Sequence, residues 1–321
     1  MFKNKLSICM PTYNRAFLLE KTLLQTISQI IQEGLISKVE VCISDNHSTD
    51  DTQKVVSNLQ AGRVNIKYHQ QPENLGFSQN LHSAILMAQG EYILLQGDDD
   101  LLKDGALKVI MAAIDTQKNI IIFNSLSSRQ ITSETLNAAN LSPITIKDGV
   151  YANEFLGVFH LSFIGNILLR NKYYRESYTP KFLLSAYPHT AILLTALKTT
   201  ESIFINQAIF DCDDSYRNHN QPLLTSVDMA RVQTECLLCN AKSKKNIYQT
   251  YRHLVKSIPR AILKQRKGIS IEDKNNPYAS LEIKNILECY RCSLKYQIIA
   301  TVLWGLGWVL PITLLERILQ K

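Results

Sequence analysis

The sequence predicts an α/β fold: a mostly parallel, Rossmann-like sheet flanked by helices, followed by a helical C-terminal extension. Two observations predict the sheet and a third the extension. Apolar, β-forming runs alternate with helical patterns three times before residue 98, as expected of right-handed βαβ units on a parallel sheet. Each run ends in polar residues, which lie where open α/β sheets bind their ligands. From about residue 227 the pattern is helical to the end. The expected division is therefore 1–226 and 227–321.

The first strand spans 6–10 and closes in Pro11-Thr12-Tyr13-Asn14-Arg15. Asn14 is placed to cap a helix carrying Leu23, Leu24, Ile27, Ile30 and Ile31 at helical spacing. A second strand over 39–44 ends in Asp45-Asn46-His47-Ser48-Thr49-Asp50-Asp51, and Thr49 or Asp50 can cap the helix through Val55, Val56 and Leu59. The third strand, 64–69, leads into Glu73-Asn74-Leu75-Gly76-Phe77 and a helix over 78–89. A central strand over 92–95 stops at Gly97 and the triplet Asp98-Asp99-Asp100. Beyond it the pattern gives a helix over 104–113, strands over 119–126, 165–170 and 203–210, and a helix opened by Tyr187-Pro188-His189. The last strand runs into Asp211-Cys212-Asp213-Asp214.

The acidic triplet carries the chemistry. Adjacent carboxylates repel one another and destabilise a strand end unless a cation arrives. A hard divalent cation, Mg²⁺ or Mn²⁺, shares such oxygen ligands with substrate phosphates. The competing reading is a solvated acidic turn capping the helix that starts near Lys103.

Charge is unevenly placed. Residues 1–230 hold 19 Lys and Arg against 22 Asp and Glu, whereas residues 231–321 hold 16 against 6. The C-terminal segment thus carries net +10, fitting contact with phosphate or an anionic membrane surface. Arg252, Lys256, Arg260 and Lys264 fall four apart, on one face of a helix that Pro259 would kink. Residues 298–315 hold no charge but include Trp304, Trp308, two glycines and Pro311. That run is marginal for a span of about 30 Å and suits a segment lying in the headgroup region; the alternative is a core helix. No recognisable module points to nucleic acid, and the chain has no GxxxxGK[ST] or GxGxxG loop. The Cys236/Cys239 and Cys289/Cys292 pairs lie in helical patterns, where such spacing is ordinary packing rather than zinc ligation. An odd seven cysteines and an opening without a secretion signal lead to the expectation of a cytosolic protein with reduced thiols.

Four of these stretches, in order over about the first 125 residues, resemble the family 2 glycosyltransferases of GT-A fold: 11–15, 44–50, 73–76 and 97–100. The resemblance implies a metal-dependent enzyme using a UDP- or CDP-linked nucleotide-sugar donor. Thr12, Tyr13 and Arg15, with Pro11 in the same motif, would line the base and ribose, and Asp45 would bond the base. Asn74 and Gly76 belong to the same nucleotide-binding set. Asp98 and Asp99 would meet ribose and the diphosphate-bound Mg²⁺ or Mn²⁺, with Asp100 beside them. This chain has Gly97 where the family has an Asp. The family's base opens a helix after the acceptor-side strand, here Tyr187-Pro188-His189 without the usual acidic pair. His189 is the candidate base, with Asp211 and Asp213 as further candidates. The stretch 185–189 also resembles the abequosyltransferase-type branch. With the membrane signals, the resemblance implies a lipid-linked glycan acceptor, as in O-antigen or capsule assembly, and an enzyme peripheral on the inner face of the cell membrane. The alternative is a non-catalytic scaffold subunit that keeps the fold.

Overall fold

The computed structural model describes residues 4–124, 143–148, 152, 156, 161–212, 224–237, 248, 251–252, 255–268, 281–291 and 293–319. The chain forms two compact units: residues 1–178 with 196–217, and residues 179–195 with 218–321. The helix opened by Pro188 is therefore grouped mainly with the C-terminal residues.

In the first unit, β1 (Asn4–Thr12), β2 (Val39–Asp45), β3 (Asn65–Gln70), β4 (Gly90–Leu95), β6 (Ile120–Asn124), β7 (Ile144–Ile146), β8 (Ile167–Arg170) and β9 (Ser202–Ala208) make one sheet, ordered β3-β2-β1-β4-β8-β6-β9-β7. The β3-β2-β1-β4 half is parallel throughout. β8 runs antiparallel to both β4 and β6, and β7 antiparallel to β9. β1 and β2 are buried along nearly their whole length, as strands covered on both faces must be. Helices α1 (Ala16–Gln32), α2 (Thr52–Gln60), α3 (Phe77–Leu86) and α4 (Ala106–Asp115) alternate with the early strands, and α5 (Asn171–Ser177) follows β8. Leu19, Leu23 and Ile30 of α1 and Leu107 and Ile110 of α4 are buried in the core with Tyr92 and Phe123.

The mostly parallel sheet and its helices agree with the expectation. Three local readings change. Asn14 does not cap α1: it takes φ +51°, Arg15 occupies the cap position, and Asp50 Oδ2 accepts the Ala16 N–H at 2.9 Å. The predicted 203–210 strand is two elements, because after β9 the chain leaves the sheet and forms β10 (Phe210–Cys212) against the short β5 (Asp100–Leu102). Pro259 kinks nothing, since a 3₁₀ turn at Val255–Ser257 precedes it and it lies in the first turn of the helix Ile258–Arg266, where its missing N–H has no partner to lose. Arg252 and Lys256 are therefore outside the helix that carries Arg260 and Lys264.

The second unit contains α6 (Pro188–Ala196, whose last residue falls in the first unit), α7 (Leu224–Leu237), α8 (Ile258–Arg266), α9 (Ile283–Cys289), α10 (Leu294–Val309) and α11 (Ile312–Leu319). The uncharged run is split, with α10 ending before Leu310 and Pro311. No helix among the described residues is long and apolar enough to cross a membrane. Cys236 and Cys289 are buried, while Cys239 and Cys292 lie outside the described residues.

Candidate active site

The site is built at the C-terminal ends of β1, β2 and β4, where the strands stop and their backbone groups turn toward loops. Thr12 Oγ1 donates to Asp98 Oδ2 at 2.8 Å. Arg15 spans the acidic turn, its Nη1 donating to Asp98 Oδ1 at 2.9 Å and to Asp99 Oδ2 at 3.0 Å. Burial works against the Arg15 charge, but Asp98 and Asp99 outweigh it, and the guanidinium holds its proton more tightly than usual. Three carboxylates and one guanidinium leave a local charge of −2, matched in magnitude by a divalent cation.

The turn itself is held from behind. Thr22 Oγ1 donates to the Asp98 carbonyl at 2.9 Å, and Gln96 Nε2 to the Asp100 carbonyl at 2.8 Å. Gln25 and Gln29 donate to the Leu102 carbonyl, and Gln25 Oε1 accepts the Leu102 N–H at 3.0 Å. Sequence reasoning missed these four supports. Three of them shared a signal, the polar line Thr22, Gln25, Thr26 and Gln29 recurring at helical spacing among the apolar residues of α1; Gln96 lies outside that line, just after β4.

The three acids do not converge. Among the described residues no cluster of three or more His, Cys, Asp or Glu side chains is arranged to hold a metal, and both Asp98 oxygens serve Thr12 and Arg15. Asp99 and Asp100 do lean together. A Cβ at Gly97 would lie 2.6 Å from Asp100 Oδ2 and 3.0 Å from Asp99 Oδ1. Two carboxylate oxygens thus bound a space kept open by the missing side chain, and that hard, oxygen-only donor set fits Mg²⁺ or Mn²⁺ with the remaining shell left to phosphates and water.

Burial pushes the Asp98 carboxyl above the usual range; Arg15 and Thr12 pull it down without cancelling that rise, and Asp99 adds to it. An acid whose folded pKa exceeds its unfolded value weakens the fold as pH rises from the unfolded value through the folded one. Asp98→Asn removes this penalty. Its stability relative to the parent, from urea unfolding at about pH 4 and about pH 7, is expected to improve at the higher pH. A difference independent of pH would show that the buried charge is not its source.

The loop after β2 forms the second wall. Asp45 is fully buried; Oδ1 accepts the Ser48 N–H at 2.8 Å and Oδ2 the Tyr68 hydroxyl at 2.6 Å. Burial and then Asp45 hold the Tyr68 phenol well above its usual range. Its visible work is thus to fix the 45–51 loop. Asn14 Oδ1 accepts the Thr49 N–H and Asn14 N–H donates to Ser48 Oγ, both at 2.8 Å, so the two loops are tied. Asn46 Nδ2 donates to Asn74 Oδ1 at 2.7 Å, and that oxygen also accepts the Gly76 N–H at 3.0 Å. Gly76 takes φ +83°, ψ 165°, a region open essentially to glycine alone. Pro11 is buried at the end of β1, while Tyr13 is 43% exposed beside this wall.

Asn80 was also missed. It is buried on α3, where Nδ2 donates to the Thr12 carbonyl at 3.1 Å and the Ser44 carbonyl at 2.9 Å, and Oδ1 accepts the Ser44 hydroxyl at 2.7 Å. One amide therefore clamps the ends of β1 and β2. Asn80→Ala is expected to cost about 1–3 kcal/mol of stability, the scale of buried polar groups left without partners, measured by denaturant unfolding. A loss below about 0.5 kcal/mol would show that the clamp is dispensable.

The candidate bases are dispersed in the chain. Asp211 is exposed on β10, opposite Leu101 of β5, and pairs with Lys103 at 3.0 Å; its neighbour Cys212 lies opposite Asp100. Asp213 lies outside the described residues. His189 belongs to the second unit, where it is buried in the first turn of α6 with its ring edge-on to Tyr187.

Residues 7–175, more than half of the chain, match the family model described as glycosyl transferase family 2. The chain belongs to glycosyl transferase family 2. It is accordingly an enzyme, a glycosyltransferase. It is 27% identical to the GalNAc(5)-diNAcBac-PP-undecaprenol beta-1,3-glucosyltransferase of Campylobacter jejuni, covering 98% of this chain and 96% of that protein. It is 25% identical to the abequosyltransferase RfbV of Salmonella typhimurium, covering 81% of this chain and 80% of that one. The solved structure of S. aureus TarS 1-349 in complex with UDP-GlcNAc superposes with a TM-score of 0.59 at 16% identity, over 94% of this chain and 91% of that chain. The mannosyltransferase PcManGT from Pyrobaculum calidifontis, in complex with GDP-Man and Mn²⁺, gives 0.59 at 14% identity, over 94% and 87%. At these identities the likeness establishes the fold, GT-A.

Proposed function

We propose that this family 2 enzyme moves a sugar from a UDP- or CDP-linked donor to a lipid-linked glycan acceptor, with Mg²⁺ or Mn²⁺ at the acidic turn, in assembly of a bacterial O-antigen or capsule. The single observation that carries the donor part is the acidic turn at the sheet's C-terminal edge, where Arg15 bridges Asp98 and Asp99 and Gly97 leaves room between Asp99 and Asp100. The acceptor part is supported by the Campylobacter and Salmonella relatives, which align over most of their own length.

In the proposed reaction the acceptor hydroxyl oxygen bonds to the donor's anomeric carbon. The bond from that carbon to the diphosphate oxygen breaks, and its electron pair leaves with the diphosphate. The acceptor proton passes to a base, a transfer worth about 10²–10⁴ in rate; His189, Asp211 and Asp213 are the candidates. A divalent cation, when bound, neutralises the charge that grows on the departing diphosphate. Asp99 and Asp100 would hold it, while Asp98, fixed by Thr12 and Arg15, would face the ribose. Thr12, Tyr13 and Arg15 would receive base and ribose, with Pro11, Asn74 and Gly76 shaping the walls and Asp45 holding the loop that closes them. The enzyme would work as a peripheral protein on the cytoplasmic face of the membrane that holds its acceptor, and the basic C-terminal residues support that placement.

Incubating the protein with labelled UDP- and CDP-sugars and a bacterial lipid extract tests the reading. Label is expected in the lipid fraction from one donor class, and only with Mg²⁺ or Mn²⁺ present. Label released solely as free sugar would refute the lipid-linked acceptor.

A further inference from the structure

The helix α10 is inside out for a helix surrounded by water. Its protein-facing side carries small or tied residues: Ala300 and Gly307 are buried, and Trp304 Nε1 donates to the Leu281 carbonyl at 2.8 Å. Its outward side carries Leu294, Ile298, Val302, Leu306 and Val309, which are 72%, 56%, 53%, 43% and 81% exposed. The first four recur every fourth residue and so form one stripe. Beyond the break at Pro311, Leu314 and Ile318 on α11 are also exposed apolar residues. Water-facing helices place such residues inward, and contiguous exposed apolar surface marks an interaction site.

The stripe is not the loose end of a frayed helix. Ile262 of α8 packs so close to Gly307 that a Cβ there would meet it at 2.7 Å. Arg266 donates to the Gly307 carbonyl at 2.7 Å and the Leu310 carbonyl at 2.6 Å, and Gln297 to the Leu287 carbonyl at 3.1 Å. The helix is fastened on one side while the other offers apolar surface outward.

We infer that this α10–α11 face docks on an anionic lipid bilayer, lying in the headgroup plane with the stripe inserted. Charge selects this occupant. Residues 231–321 carry net +10, and residues 289–315 contain Arg291 and Lys295 and no acid, with Glu288 and Glu316 at either end; Lys295 and Arg317 are exposed, while exposed Arg291 pairs with Glu288. Such side chains can extend to lipid phosphates while their stems lie along the apolar surface. Of the two tryptophan anchors expected from the sequence, Trp304 faces the protein and Trp308 is 38% exposed. The docking residues extend beyond 298–315 to Leu294 and Ile318. The inference deepens the membrane part of the proposed function and rests on that reading for its purpose; its evidence is the face itself.

The full-length protein, sedimented with vesicles of 30% phosphatidylglycerol in phosphatidylcholine, provides the test. Binding is expected to weaken with salt but not to vanish, because the apolar contribution is not screened. The double substitution Ile298→Glu with Val302→Glu, both at exposed positions, is expected to lower the vesicle partition coefficient at least tenfold. If that pair melts early, Leu294→Gln with Val309→Gln, at the two most exposed positions, carries the same expectation. Nucleoside diphosphate binding, measured without vesicles, is expected to be equal in parent and variants, which separates failure of docking from failure of the donor reading. Absence of parent binding at low salt, or unchanged partition in the variants, would overturn the inference. So would a parent dimer in sedimentation velocity that the substitutions convert to monomer, since the face would then pair two copies.

Discussion

Asp99→Asn is expected to lower sugar transfer about 10²–10³-fold while leaving the melting temperature within a few degrees of the parent. The magnitude follows from several kcal/mol of charge stabilisation at roughly 1.4 kcal/mol per tenfold in rate. Asp99 is the carboxylate that both faces Arg15 and leans with Asp100 over Gly97. It is only partly buried, so replacing its charge relieves repulsion along the turn and takes little from the fold. Rates measured across a Mn²⁺ titration check this. The variant should need far more Mn²⁺ or fail to respond, and parent-like rates at every Mn²⁺ concentration would contradict it.

Gly97→Ala is expected to produce the second large effect, by a different route. The added methyl meets side-chain atoms, Asp100 Oδ2 and Asp99 Oδ1, not backbone. These carboxylates can swing aside, so stability should change by less than about 1 kcal/mol. Displacing both donors from the space they share should weaken Mn²⁺-dependent donor binding at least tenfold. Calorimetric titration of nucleoside diphosphate with and without Mn²⁺ separates the two effects. Loss of folding with intact binding in the surviving protein would mean that Gly97 serves the turn and not the site.

Much of the first unit was legible because parallel strands buried on both faces read as continuous apolar runs. The runs at 6–10, 39–44 and 92–95 became β1, β2 and β4, and their polar ends became the site. The acidic triplet stood out as a polar strand end, whereas Thr12 and Arg15 were singled out by the family resemblance; in the structure both side chains bond Asp98. Long-range contacts were not legible. Asp50 lies 34 residues from the Ala16 N–H that it accepts, and no local pattern distinguishes that cap from Asn14, the nearer candidate. Asn80 clamps Thr12 from 68 residues away and Ser44 from 36. Within an ordinary helix its sequence gives no sign of a buried amide.

The C-terminal region shows the opposite failure. Composition identified an uncharged run, but which side of α10 faces the protein depends on α8. Gly307 receives Ile262 and Arg266 holds the Gly307 carbonyl. Trp304, an anchor by composition, is turned inward by its bond to Leu281. Pro259 shows a similar limit: its position alone fits a kink or a first turn, and the preceding 3₁₀ turn decides for the first turn.

The turn at Asp98, Asp99 and Asp100, bridged by Arg15, is proposed to bind a nucleoside diphosphate together with a divalent cation. Thermal unfolding of the full-length protein with UDP or CDP, in Mn²⁺ or in EDTA, tests it most directly. Stabilisation by one of these nucleotides is expected, requiring Mn²⁺ and lost in Asp99→Asn. Equal stabilisation in EDTA, or undiminished stabilisation in Asp99→Asn, would contradict it.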